Sequence, residues 1–288
     1  MTRVGSKPGK EFWLAALRHE GAAFRAAISP DGLGAAAPSQ PGWTVERLMR
    51  RLGVVYQWVE DHITRGVTAD PGPPVDDGPS GEPVIGWWDQ RYDALLTVLD
   101  RIDPEAPAWN WAPQPKQAQF WHRRLAHQTA LSRWDAQVAG GLPEPIEAKQ
   151  ALDGVAEVLD SWLPGGRRWR VDRPHAQTAS PALATVGAGS MTMSPLSAGV
   201  AASVRADMGA AGLVQLVASD VEHEWLVRIR GAGVALLDTS AVLHEEHRID
   251  AQAIGSASDL QLAMFGRVPF EVLQTAGPNR LLEAVRVG

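Results

Sequence analysis

The chain contains no cysteine. Disulfides, thiolate metal ligands and a cysteine nucleophile are therefore excluded, and any thiol chemistry needs a thiol brought by a cofactor. Tyrosine is scarce too, with two residues against twelve tryptophans. Basic residues form only short pairs such as Arg50-Arg51 and Arg167-Arg168, in a chain of net charge -6. No nucleic-acid partner is expected from that pattern. No run approaches the ~20 apolar residues of a membrane span. The opening MTRVGSKPGKEF lacks the apolar core of a signal peptide, so a cytoplasmic protein with no membrane partner is expected.

What remains is ordinary globular composition: 288 residues, 45% hydrophobic and 21% charged, enough for one large or two average domains. The tryptophans read first as packing residues, because each carries a large apolar area.

The most informative stretch is FWHRRLAHQTALSRWDAQ, Phe120 to Gln137. Trp121, Leu125, Gln128, Ser132, Asp135 and Ala139 recur at steps of three and four, which places them on one face of a helix. That face starts apolar and turns polar at Gln128. Polar groups on a core-facing stripe are costly unless paired or used, so this face is expected to line the site.

Three amphipathic helices are predicted before it, over about 11–28, 45–64 and 84–102. Thr44 is the expected N-cap of the second, with Glu46 in its first turn. Leu48, Leu52, Val55, Val59 and Ile63 form its stripe, Arg51 sits at the stripe edge, and His62 falls on the same side. The stretch 67–83 is rich in Pro, Gly and Asp and is expected to be a loop. Four helices with antiparallel connections suggest a four-helix bundle, a fold that builds sites from facing helices. A fifth helix is expected to open near Pro145 and close by Pro164. Beyond it, alternation in LVQLVAS, EWLVRIR and GVALLDT predicts strands, followed by a helix from about 255 to 265, a strand over 268–275 and a short last helix over 278–285. The fold class is α+β: a helical bundle over residues 1–165 and a smaller α+β domain over 166–288.

The chain resembles the mycothiol-dependent maleylpyruvate isomerase family of actinobacteria, whose N-terminal bundle is DinB-like. The resemblance rests on PGWTVERLMRRLGVVYQW, FWHRRLAHQTALSRWDAQ, the LDG of Leu152-Asp153-Gly154, SDVEHEW and GSASDLQLAMFGR, which keep their order along most of the chain. The family's second helix usually reads like PGWTVxDLxxHLGxxHxW and its fourth like RRxAHExxxHRWDAE. The resemblance implies a divalent metal, usually taken as zinc, held by one histidine of the second helix and by a glutamate and a histidine of the fourth. Here those positions carry Arg51, Gln128 and Ser132, and the second histidine of the second helix is replaced by Tyr56. Gln and Ser are weak neutral ligands and Arg is a fixed cation, so no metal is expected at the family position. His122 and His127 are roughly 140° apart round their helix and His62 lies about three turns beyond Arg51, so neither restores a site easily.

The expected site residues follow from that replacement. Arg51, Tyr56, Gln128 and Ser132 are the candidates for catalysis, and Asp135, His127 and Arg267 for substrate binding. Arg51 either holds a carboxylate or steadies an enolate, or it is a stripe-edge arginine whose head reaches water. Asp135 is expected to pair with Arg51 or Arg133. His127 is read as bonding across the bundle, and Arg267, in the family's GR motif, as facing an interdomain cleft. Tyr56 is a hydrogen-bond donor or a satisfied core residue. His244 and His247, the ends of HEEH, read as a solvated charge cluster. The expected function is a metal-independent, isomerase- or lyase-like enzyme of secondary metabolism. It takes a small anionic or carbonyl-bearing molecule through isomerisation, addition or cyclisation, as a monomer or homodimer. Two alternatives stay open: a mycothiol-dependent isomerase or S-transferase with an altered metal site, and a ligand-binding pseudoenzyme without turnover. Mycothiol is the one cofactor the resemblance leaves open.

Overall fold

A computed structural model describes residues 8–74, 78–164, 211–230, 233–237 and 248–287. His244 and His247 lie outside the described residues.

The N-terminal half is a four-helix bundle. Helix α1 (Lys10–Ala26) buries Trp13, Leu14, Leu17 and Phe24 on one face. Helix α2 (Val45–Arg65) starts where the Thr44 hydroxyl accepts from the Arg47 amide at 3.2 Å. It ends at Gly66, whose φ of 63° is the left-handed stop that favours glycine. Helix α3 (Pro83–Arg101) opens on a proline, which fits the first turn because no intrahelical partner awaits that amide. Helix α4 (Gln119–Ala139) is buried on nearly every side. It packs against α1 and α2, while α3 packs against α2. One core, containing Phe24, Tyr56, Trp58, Trp88 and Trp121, fills the space between them.

Helix α5 (Ala148–Glu157) begins where Glu147 accepts from the Gln150 amide, three residues later than Pro145. It widens into a single π turn, Val158–Trp162, and its apolar residues Ala151, Val155, Val158 and Leu159 join a second core with the sheet.

The sheet has five strands in the order β3-β2-β1-β4-β5: β1 (Ala211–Ala218), β2 (His223–Arg230), β3 (Gly233–Leu237), β4 (Ala251–Gly255) and β5 (Gln274–Ala276). β1–β2 and β2–β3 are antiparallel neighbours, and β1 pairs in parallel with β4. Helix α6 (Ala257–Met264), capped by Ser256, covers one side against α5. Helix α7 (Asn279–Glu283) packs on β4 and β1.

Two elements differ from expectation. The strand over 268–275 is instead a 3-10 turn, Phe270–Val272, followed by the three residues of β5. Pro269 has no amide to donate to a ladder, and Gly266 turns the chain with φ 71°. Strand β4, AQAIG, was not expected. It is short, its two most buried residues are alanines, and only its pairing with β1 makes it a strand.

Candidate functional site

A cleft opens between α2, α4, the loop before α2, the π turn and the segment after α6. Its cavity volume is about 40 Å³, and it opens to solvent. Trp121, Leu125, Gln128, Ser132 and Asp135 of α4 line it, as do Leu48, Arg51, Leu52, Val55 and Trp58 of α2. The helical period explains both sets, since steps of three and four bring these residues to one face of each helix. Gln40, Trp43, Arg124, Trp162 and Arg267 complete the lining.

Among the described residues, the guanidiniums of Arg51, Arg124 and Arg267 and the Asp135 carboxylate line the cleft. Arg267 clamps that carboxylate with Nε at 3.2 Å from both oxygens and Nη2 at 3.1 Å from Oδ2. The Ser39 hydroxyl donates to Asp135 Oδ1 at 2.6 Å. With the Gln40 amide oxygen turned toward the guanidinium, it accepts from Arg267 at 2.9–3.1 Å. The loop before α2 is thereby tied to both halves of the chain.

Arg124 is buried and donates to Gln128 Oε1 at 2.9 Å and to Glu157 of α5. Its guanidinium lies over the Trp162 ring at 5.1 Å and over Phe265 at 5.6 Å. Ser132 donates back to the Gln128 carbonyl at 3.0 Å, a bond within its own helix. Among the described residues, no histidine lines the cleft beside Ser132.

Several expected residues fall elsewhere. Tyr56 stands outside the cleft lining. Its ring is fully buried and its hydroxyl meets Thr129 Oγ1 at 2.6 Å. Burial pushes its pKa well above the usual value, so it is a core residue with a satisfied hydroxyl. His127 is also outside the lining and buried. It bonds toward α5 rather than across the bundle: Nε2 lies 3.0 Å from Asp153 Oδ1 and Nδ1 3.4 Å from the Gln261 amide. Burial would raise the Asp153 carboxyl, but hydrogen bonding from His127 and the charge of Arg123 hold it below its ordinary value. Arg133 is not the partner of Asp135. It pairs with buried Glu20 at 2.7 Å and donates to the Glu144 and Pro145 carbonyls.

Arg124, Gln40, Trp43 and Trp162 were not foreseen as site residues. Arg124 carried a usable signal: it precedes Gln128 by four residues and so shares its face.

Residues 14–137 match the family model described as mycothiol maleylpyruvate isomerase N-terminal domain. That match lies within the bundle and covers less than half of the chain. Two solved structures share the fold of the chain. One is a histidine-to-alanine mutant of the mycothiol-dependent maleylpyruvate isomerase, with TM-score 0.55, 11% identity and 96% of each chain covered. The other is the mycothiol-dependent maleylpyruvate isomerase, with TM-score 0.53, 12% identity and the same coverage. No curated protein matches the sequence.

The metal implied by the maleylpyruvate isomerase resemblance does not fit the residues present. At the three ligand positions stand a guanidinium, an amide whose oxygen already accepts from Arg124, and a hydroxyl bonded to its own helix. The Asp135 carboxylate is clamped by Arg267. Among the described residues, no group of three His, Cys, Asp or Glu side chains could hold a metal ion. Among them also, no helix is long and apolar enough to cross a membrane.

Proposed function

We propose that this chain is a metal-independent, isomerase-like member of the family, acting as a monomer or homodimer in secondary metabolism. Its substrate is a small anionic or carbonyl-bearing molecule that undergoes isomerisation, addition or cyclisation in the cleft. The observation that carries this reading is the convergence of Arg51, Arg124 and Arg267 on the cleft, with Arg124 paired to Glu157 and Arg267 to Asp135. A guanidinium holds a carboxylate through two parallel hydrogen bonds and lowers the energy of an enolate oxygen as charge develops on it. Arg51 supplies that cation where the family pattern has a histidine. Gln128 spends its amide oxygen on Arg124 and keeps its amide nitrogen as a donor, and the Ser132 oxygen remains able to accept. Asp135 is the lining group able to take a proton, and Arg267 fixes its position.

The test is the metal content of unchelated protein beside the Arg51→His, Gln128→Glu, Ser132→His triple variant. The native protein should be empty and the variant should take up about one zinc ion, the number a single three-ligand site holds. Stoichiometric metal in the native protein, together with thiol-dependent turnover, would overturn the reading in favour of a mycothiol-dependent isomerase or S-transferase. A second reading, a pseudoenzyme, draws support from the Ser132 hydroxyl bonded into its own helix and from the lack of histidine among the described lining residues. It predicts saturable binding without turnover.

A further inference from the structure

The cleft in this form is too small for the molecule proposed to react in it. Its cavity volume is about 40 Å³, room for about three water molecules. A small organic molecule needs more, so a wall has to move before one can enter. The walls differ in what holds them. Those from α2 and α4 belong to the bundle core, where Leu52, Val55, Trp58, Trp121 and Leu125 are buried together. Arg124 is buried on Glu157, and Trp162 packs against Trp111 and Phe265.

Residues 37–43, which supply Gln40 and Trp43 to the lining, are held differently. Ala37 is buried, and its amide donates to the Trp43 carbonyl at 2.9 Å, which closes the loop at its base. Between those ends no side chain is buried. Two turns make the loop a compact piece: the Gln40 amide donates to the Ala37 carbonyl and the Trp43 amide to the Gln40 carbonyl, each at 2.9 Å. Pro38 and Pro41 fix φ at two of its positions, so it moves as a unit. Gly34 and Gly42, on either side of Pro38, have open space where a side chain would stand, and the backbone can turn there without collision. Across the cleft the loop is tied only through polar side chains: Ser39 donates to Asp135 at 2.6 Å, and the turned Gln40 amide accepts from Arg267. A segment that buries no apolar side chain opens at far less cost than the core that surrounds it.

We propose that residues 37–43 form a latch that swings off the cleft to admit a ligand and is held shut by Ser39 on Asp135 and Gln40 on Arg267. This rests on the cleft being the ligand site, but the test needs no ligand. Because the chain has no cysteine, Ser132→Cys places a single thiol on the cleft wall, one turn from Asp135. The readout is the rate at which that thiol, in the full chain, reacts with the aromatic disulfide dithiobis(nitrobenzoate) and releases thionitrobenzoate. Adding Ser39→Ala and Gln40→Ala removes both ties and should speed the reaction about tenfold, the factor expected for two net hydrogen bonds. The rate should barely change in low urea, because the latch exposes little surface when it opens. Gln128→Cys gives the same comparison if Ser132→Cys does not fold. Equal rates with and without the ties overturn the latch. So does a rate in the tied chain as fast as that of Thr97→Cys on the exposed side of α3, and so does a rate that climbs with urea as steeply as global unfolding. Metal content bears on none of these rates, so the latch and the metal-independent reading fail separately.

Discussion

Lowering the pH should weaken this protein through one histidine at the back of the cleft. His62 is 1% exposed. Its Nδ1 lies 2.8 Å from the Trp58 carbonyl, and its ring sits 4.5 Å from Trp58 and 4.9 Å from Trp121. Adding a proton puts a second N–H and a charge among indole rings. Burial accordingly lowers its pKa from 6.5 to about 4, against smaller opposing effects of main-chain hydrogen bonding to Trp58 and Trp109. Between those values the unfolded chain binds a proton that the folded chain refuses, so stability rises with pH. The contribution is complete above about 6.5 and disappears as the pH falls toward about 4. Integrated over that interval, it amounts to about 1.4 kcal/mol lost by pH 5.5 and roughly 2 to 3 kcal/mol lost by pH 4.5. Other groups titrate in the same range, so the assay is a difference: urea denaturation of native and His62→Leu protein near pH 7, 5.5 and 4.5. The variant has a fixed packing cost at every pH, and its stability should fall less steeply by the amounts given. Parallel pH profiles for the two proteins would refute the reasoning.

Other perturbations test the polar framework. Glu157→Gln removes the carboxylate beside buried Arg124 and should cost about 3–5 kcal/mol in chemical denaturation, as expected when one partner of a buried ion pair is lost. Thr129→Val leaves the Tyr56 hydroxyl without its acceptor and should cost about 1–3 kcal/mol. In that variant and in native protein alike, spectrophotometric titration should show Tyr56 ionising only as the chain unfolds. Asp135→Asn weakens the hold on Arg267 and Ser39, and amide exchange should accelerate over residues 38–43 while the rest of α2 is unchanged.

Much of the bundle was legible because its signals are local. The 3.6-residue period of α2 and α4 is written in the chain, and the Thr44 cap is a single residue beside the helix it starts. The face of α4 from Trp121 to Asp135 could therefore be assigned to the cleft from spacing alone. Arg124 escaped because an Arg-Arg pair looks like a solvated surface; only Glu157, far along the chain, makes burial of the charge tolerable. Tyr56 was misplaced by one step of rotation: it shares a helix with Arg51 but faces Thr129 in the core. Gln40 and Trp43 lie in a loop without period, and nothing local says that Arg267 draws the loop over the cleft. Strand β4 likewise owes its existence to a parallel partner, and pairing between distant segments leaves no periodic trace in a five-residue stretch.

The clamp of Arg267 on Asp135 joins residues 132 positions apart. A growing polypeptide therefore finishes its helical half long before the last wall of the cleft exists. The lining of the cleft is thus drawn from both halves of the chain, and neither half supplies it alone.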